Sequence, residues 1–253
     1  MTDLSPPLPS TAPGVSLDKH PRRIAGMFDA IAHRYDRLNY LLSAGLDRRW
    51  RRRAIDSINP PPGARILDAC TGTADLALAA CRPNAMPRFV LGVDFAGAML
   101  ELGEAKIQMA ALERVVRLAR GDACWLPCVS EAVEAVTIAF GIRNVQEPGQ
   151  AIGEFFRVLK PGGRLAILEF GEPRLPFVRA VYLWYFRRVL PRIGRFLSSH
   201  TEAYAYLPAS VSMFLSPEEL GTLLRDTGFD EIRINRLTFG VVYLYVARKP
   251  PTR

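Results

Sequence analysis

The residues of this chain with the clearest chemistry are a set of aspartates around one short loop. Asp68 closes the apolar run "ARILDA", and the loop Cys70-Thr71-Gly72-Thr73-Ala74-Asp75 follows it. Asp94 closes the next run, "RFVLGVD", about twenty residues on, and Asp122-Ala123 follow a third. A strand, a tight small-residue turn and an amphipathic segment make the first crossover of a nucleotide-binding unit, with the second acidic residue placed for ribose hydroxyls. A dinucleotide would bring a pyrophosphate to this turn, and the turn would then need several glycines and little negative charge. Here Gly72 is the loop's one glycine, with Asp68 before it and Asp75 after it. Carboxylates in those places suit a cationic ligand, and S-adenosylmethionine carries both a sulfonium and an ammonium group. An aspartate after a strand is also a common helix N-cap, so the order of the whole set carries more weight than any one member.

These groups must be positioned by strands. Apolar stretches at 65–69, 88–93, 115–119, 135–140 and 164–170 read as strands, with helices at about 74–82, 96–111 and 147–159 between them. Continuous apolar strands alternating with helices mean a parallel sheet covered on both faces, and such sheets bind ligands at their carboxyl ends. Stretches 230–237 and 238–248 follow one another so tightly that they must pair antiparallel. The expected fold class is therefore α/β, a Rossmann-like seven-stranded class I methyltransferase sheet whose last strand is antiparallel.

Three other segments frame this sheet. Residues 1–20 are rich in proline and serine and read as a disordered leader. Residues 21–58 carry apolar residues at helical spacing, broken near Ser43-Ala44-Gly45, and form an expected N-terminal helical cap. Residues 59–253 form the main domain, with an aromatic and arginine-rich insertion at 171–215 that fits no strand. The helix after it opens with Ser216, Pro217 and Glu219, a capping-box pattern.

Composition narrows the class. No apolar run approaches the ~18 residues that span a bilayer, and the leader has no hydrophobic signal core, so a cytoplasmic location is expected. The four cysteines form no CxxC pair, so no metal site is expected. The net charge of +8 comes almost wholly from arginine. That bias fits an anionic membrane surface as well as nucleic acid, but no nucleic-acid motif accompanies it and no nucleic-acid partner is expected.

Beyond single motifs, "AFGIRNVQEPGQAIGEFFRVLKPGGRLAILEF" at residues 139–170 resembles the signature of the ubiquinone/menaquinone biosynthesis C-methyltransferases. "MFDAIAHRYDRLNYLLSAGLDRRWRR" is similar to that family's N-terminal block and "YAYLPASVSMFLSPEEL" to its late block. The resemblance runs from about Met27 to the C-terminus. It implies S-adenosylmethionine as methyl donor and a prenylated quinol as acceptor, most simply demethylmenaquinol converted to menaquinol. The alternatives are a 2-polyprenyl-6-methoxy-1,4-benzoquinol in ubiquinone synthesis and another hydrophobic phenolic or lipid acceptor. By motif match it places cofactor contacts at Thr73, Asp94, Asp122 and Ala123, beside Asp68 and Gly72. Ala139 stands where the family often has a serine, so only its backbone is available there.

Methylation at carbon needs an electron-rich ring, which the quinol supplies and the quinone does not. The protein must hold that carbon in line with the methyl group and stabilise a phenolate. Arg143 and Asn144 follow the fourth strand and are the expected catalytic pair, Arg143 on the oxyanion and Asn144 on a hydroxyl or water; a structural ion pair is the alternative for Arg143. Tyr35, Tyr204, Tyr206 and Ser210 are expected to face the acceptor, with cap packing as the alternative for the tyrosines. The general base is left open, because His33 and His200 match no motif. In the insertion, "FVRAVYLWYFRRVLPRIGRFL" interleaves aromatics with arginines as interfacial helices do, so peripheral contact with an anionic membrane is expected. A homodimer is left open.

Overall fold

The computed structural model describes residues 18–185, 188 and 201–252. The leader up to residue 17 and most of 186–200, His200 included, lie outside the described residues.

The chain enters through two helices, α1 (Pro21–Ser43) and α2 (Leu46–Ile58). Pro21 suits a first helical position, where its missing N–H costs nothing. The break expected near Ser43 is real. Ala44 is left-handed at φ 50°, and Gly45 follows at φ 75°, where a Cβ would come within 2.9 Å of the Tyr40 ring. Only glycine satisfies both the backbone angle and that close approach.

Then strand and helix alternate: β1 (Arg65–Ala69), α3 (Asp75–Ala80), β2 (Phe89–Asp94), α4 (Gly97–Met109), β3 (Val116–Arg120), β4 (Val133–Ala139), α5 (Pro148–Val158) and β5 (Leu159–Phe170). The insertion contributes α6 (Pro176–Trp184) and α7 (Thr201–Ser212). The chain closes with α8 (Pro217–Thr227), β6 (Asp230–Leu237) and β7 (Val242–Arg248). The capping box at Ser216 and Glu219 is formed in both directions.

The seven strands lie in the order β3-β2-β1-β4-β5-β7-β6. Strands β1 to β5 pair parallel, and β7 runs antiparallel to both of its neighbours. The strand order therefore reverses between β1 and β4, the crevice where open α/β sheets take their ligands. One face of the sheet is covered by α5 and α8, whose Ile152, Phe155, Leu220 and Leu224 are wholly buried. The other is covered by α2 and α3 through Trp50, Ile55, Ile58 and Ala77. Helix α1 packs on α4 instead, with Ala32 and Phe28 against Met99. Helix α1 thus lies across the ligand end of the sheet, with Asp36 on Thr73 and Asp29 on the Ala98 N–H.

Two strand starts differ clearly from expectation: β5 opens at Leu159, not at residue 164, and β7 opens late. The last strand begins at Val242, not at residue 238, because Thr238, Phe239 and Gly240 all take left-handed angles (φ 46°, 59° and 96°). A left-handed run cannot continue an extended ladder.

Candidate active site

The loop after β1 is built on alternating left-handed residues: Cys70 at φ 50°, Gly72 at φ 55° and Ala74 at φ 63°. Glycine accepts this conformation freely, whereas each of the other two costs about 1 kcal/mol or more. Hydrogen bonds hold the loop in place. Thr71 donates its N–H to the Val93 carbonyl at 3.1 Å and its hydroxyl to Asp68 at 2.6 Å. Gly72 donates its N–H to Asp94 Oδ2 at 2.8 Å. Gly141, just past β4, allows the loop its close approach, since a Cβ there would lie 2.4 Å from that of Cys70.

Asp68 and Asp94 are thus structural to the loop as well as charged. Asp68 is buried, with its two oxygens accepting from Thr71 and, across the β1–β4 pair, from Thr137 at 2.7 Å. Burial pushes its carboxyl up to about 6, against those two hydroxyl donors and the more distant Arg51. Asp94 is also raised by burial, opposed by backbone N–H groups of Ala96, Gly72 and Phe95. Asp122 caps its own turn by accepting from the Cys124 N–H at 2.9 Å, and Ala123 is buried beside it. The Cys70 thiol is held well above its ordinary range, first by burial and then by Asp94, Asp68, Asp122 and Glu169. Asp68, Asp94 and Asp122 therefore bear on one point of the loop, while Glu169 is matched by Arg143; three carboxylates there favour a cation and oppose a phosphate.

Thr73 turns away from this field. Its hydroxyl donates to Asp36 of α1 at 2.7 Å and accepts from Lys106 of α4 at 2.8 Å. Lys106 also reaches Asp36 and Asp75, each at 2.6 Å. The Thr73 side chain thus ties the cap to the loop, and only its backbone is left for a ligand. Ala139 ends β4 half-buried and presents no polar side chain.

Beside the loop lies an apolar cavity of about 370 Å³. Its floor is aromatic: Phe140 and Phe170 stand 4.5 Å apart at 32°, and Trp50 meets Phe140 at 6.2 Å. Two guanidinium groups lie over that floor, Arg51 at 5.7 Å from the Phe140 ring and Arg143 at 5.4 Å from the Phe170 ring. Both arginines line the cavity and are nearly buried. Arg51 is held by Asp47 and, at 3.7 Å, by Asp75.

The ion-pair alternative for Arg143 is present, and its partner is Glu169 at the end of β5. Nη1 of Arg143 donates to Glu169 at 2.7 Å and to the Phe140 carbonyl at 2.5 Å, and Nε donates to Ser210 at 3.4 Å. No hydrogen bond among the described residues uses Nη2, and the side chain borders the cavity. Asn144 donates weakly to the Phe140 carbonyl at 3.4 Å, and its Oδ1 is buried without a partner among the described residues.

Of the residues expected to face an acceptor, Tyr35 and Tyr206 border the cavity. The Tyr35 hydroxyl is raised by burial, opposed by its bond to Asn39 and by Arg51 and Arg143, while Asp94 adds to the rise. Cavity and loop therefore adjoin at this phenol. The Tyr206 hydroxyl is buried and has no partner among the described residues. Ser210 is buried behind Arg143, donating to the Leu207 carbonyl at 3.0 Å, so it braces the arginine and does not reach the cavity. Tyr204 belongs to α7, but its side chain lies outside what the structure describes.

Sequence reasoning missed Glu169, Arg51 and Lys106. Glu169 carried a signal, for a lone acid in the apolar run "LAILEF" is buried only if it is paired. Arg51 sits among several arginines of α2, and nothing local separates it from its solvated neighbours.

The ubiE/COQ5 methyltransferase family matches residues 16–249. A demethylmenaquinone methyltransferase of Thermus thermophilus is 47% identical over 88% of this chain and 100% of its own length. A ubiquinone/menaquinone biosynthesis C-methyltransferase of Geobacter sulfurreducens is 44% identical over 90% of this chain and 88% of its own. Among solved structures the cyclase SpnF superposes with a TM-score of 0.70 at 17% identity, covering 94% of this chain and 99% of SpnF. That last likeness speaks for the fold alone.

Proposed function

The chain belongs to the ubiE/COQ5 methyltransferase family, and on that premise we propose that it methylates a ring carbon of demethylmenaquinol to give menaquinol. It is a class I, S-adenosylmethionine-dependent C-methyltransferase of quinone synthesis. The observation that carries the finer reading is the position of Arg143, buried at the junction of a carboxylate-lined loop and an aromatic cavity.

The residues present fit the donor. Asp68, Asp94 and Asp122 offer negative charge where a cation would lie, and the Asn144 Oδ1 is an acceptor without a donor among the described residues. Asp94 and the backbone of Gly72, Asp122 and Ala123 would hold it; when bound it supplies an electrophilic methyl group on sulfur.

The remaining work falls to the chain itself. Phe140 and Phe170 stack the acceptor ring and exclude water, which strengthens every charge nearby. Arg143 Nη2 donates to the ring oxygen next to the reacting carbon and stabilises phenolate. Glu169 acts as a positioning residue, because it and the Phe140 carbonyl fix the guanidinium through Nη1. Tyr206 borders the cavity, and its hydroxyl, without a partner among the described residues, would serve a second ring hydroxyl. The prenyl tail leaves by the cavity mouth toward a lipid surface. Contact there is peripheral, since no helix of the described residues is long and apolar enough to cross a membrane.

The test is a competition between short-chain demethylmenaquinol and short-chain methoxybenzoquinol under reducing conditions, with mass spectrometry of the products. Preferential methylation of the naphthoquinol supports this reading. Preference for the benzoquinol moves the substrate within the family, and transfer to neither ring overturns it.

A further inference from the structure

The cavity opens to the surface. Of the described residues that border it, Ala44, Val181, Trp184 and Thr238 are exposed. They come from three separate places: the α1–α2 corner, α6, and the turn before β7. Each carries a large exposed apolar side chain close by in the chain. Tyr40 is exposed one turn before Ala44, Phe177 is 80% exposed one turn before Val181, and Phe239, next to Thr238, is 70% exposed. Scattered apolar residues are ordinary on a protein surface, but three of them flanking the exposed lining of an apolar cavity mark a contact surface.

The turn that carries Phe239 is held in a costly shape. Thr238 and Phe239 are left-handed in succession, and a β-branched residue at positive φ is a true outlier. Trp50 pins the turn by donating Nε1–H to the Thr238 hydroxyl at 2.9 Å. The strain holds the Phe239 ring out in water although an apolar cavity lies beside it. Strain kept at a site edge marks a conformation that is used there.

Charge identifies the occupant. Residues 37–48, 176–184 and 236–241 together hold four arginines and one carboxylate, Asp47, which is buried against Arg51. Arg37, Arg48 and Arg236 are exposed and make no ion pair among the described residues, and Arg48 lies 5.6 Å over the Tyr40 ring. Aromatic rings backed by unpaired arginines suit the interface of an anionic bilayer, with rings among the acyl chains and guanidinium groups on the phosphates.

We propose that this rim, with Phe239 and Phe177 as its inserting side chains, docks the cavity mouth onto an anionic lipid surface, so that an acceptor passes from bilayer to cavity without crossing water. The surface spans the cap, the insertion and the last turn, and is not confined to the arginine-rich insertion. The delivery role rests on the quinol reading above; the docking itself does not.

The full-length chain would be floated with phosphatidylcholine vesicles, with or without a third of the lipid as phosphatidylglycerol. The expected result is binding that needs the anionic lipid and weakens with salt. It should fall roughly tenfold in F177S/F239S, whose melting temperature checks the fold. A second variant, R37Q/R48Q, should lose the dependence on anionic lipid with both rings intact. Methyl transfer to a soluble short-chain quinol should be unchanged in F177S/F239S, while transfer to a long-chain quinol in vesicles falls. Vesicle binding by F177S/F239S equal to the parent's, or no binding to either vesicle, overturns the proposal. Loss of transfer to the soluble quinol in the parent chain would sink the quinol reading and leave the docking result standing.

Discussion

The two halves of the site are made in opposite ways. The proposed cofactor half is polar and mostly local: one loop, one strand-end aspartate and one turn within residues 68–124, with Asn144 just past β4. The acceptor half is apolar and assembled from α1, α2, α6, α7 and the turn before β7, elements up to two hundred residues apart. A fixed ligand charge can be met by a few groups at set offsets along a chain. An apolar cavity needs only volume and area, which any element that packs nearby can supply. Arg143 belongs to both halves, and the difference between them can be broken or sharpened there first.

The largest effect is expected from Arg143→Met. Single-turnover transfer should fall roughly 10²–10³-fold, as for loss of one oxyanion donor, while cofactor affinity measured by calorimetry stays within a few-fold. Glu169→Ala should cost about 3–5 kcal/mol in urea unfolding by leaving a buried guanidinium unpaired. Glu169→Gln, which keeps the shape, should lower kcat far more than it raises KM. Equal losses of cofactor affinity and transfer in all of these would mean that the two halves are one site.

Asp94→Asn tests the polar half alone. Cofactor affinity should drop roughly tenfold through loss of a charge-assisted contact, with the acceptor KM unmoved. A change in acceptor KM would show coupling through Tyr35, which feels both Asp94 and Arg143.

The pH dependence should separate the halves too. Burial raises Asp68 to about 6, so the empty folded state takes up a proton there that the unfolded chain holds only in the ordinary carboxylate range. Ligand-free stability therefore declines as pH rises from about 4 through about 6. A bound cation favours the ionised carboxylate, so cofactor affinity should weaken as pH falls below about 6. Asp68→Asn should flatten both profiles.

The smallest effect is expected at Tyr206. Its buried hydroxyl has no partner among the described residues, so Tyr206→Phe should leave the fold as stable or raise it by about 1 kcal/mol, while lowering kcat/KM a few-fold. Unchanged kinetics would make this ring part of the wall only.

How much was legible follows the same division. The seven strands, the antiparallel closing pair and the break at Gly45 were readable, because periodicity, strand-end residues and left-handed glycine are properties of short windows. So was the negative charge of the loop. The roles within the loop were not: Thr73 faces Asp36 and Lys106, and Ser210 braces Arg143, since a hydroxyl's partner depends on what packs against it. The start of β7 was placed too early because nothing in the letters "TFG" announces two left-handed residues ahead of the glycine.

By itself, then, the sequence determined the class of sheet, the electronegative loop at its switch point and the arginine beside it. Those follow from residue order along single elements and from charge, which does not need a partner to be counted. Tertiary structure alone decided that Glu169 holds Arg143, that Arg51 of α2 reaches the same aromatic floor, and that three distant segments share one rim. These are meetings between elements, and burial makes them matter: a charge or ring gains its strength from the neighbours that exclude water around it.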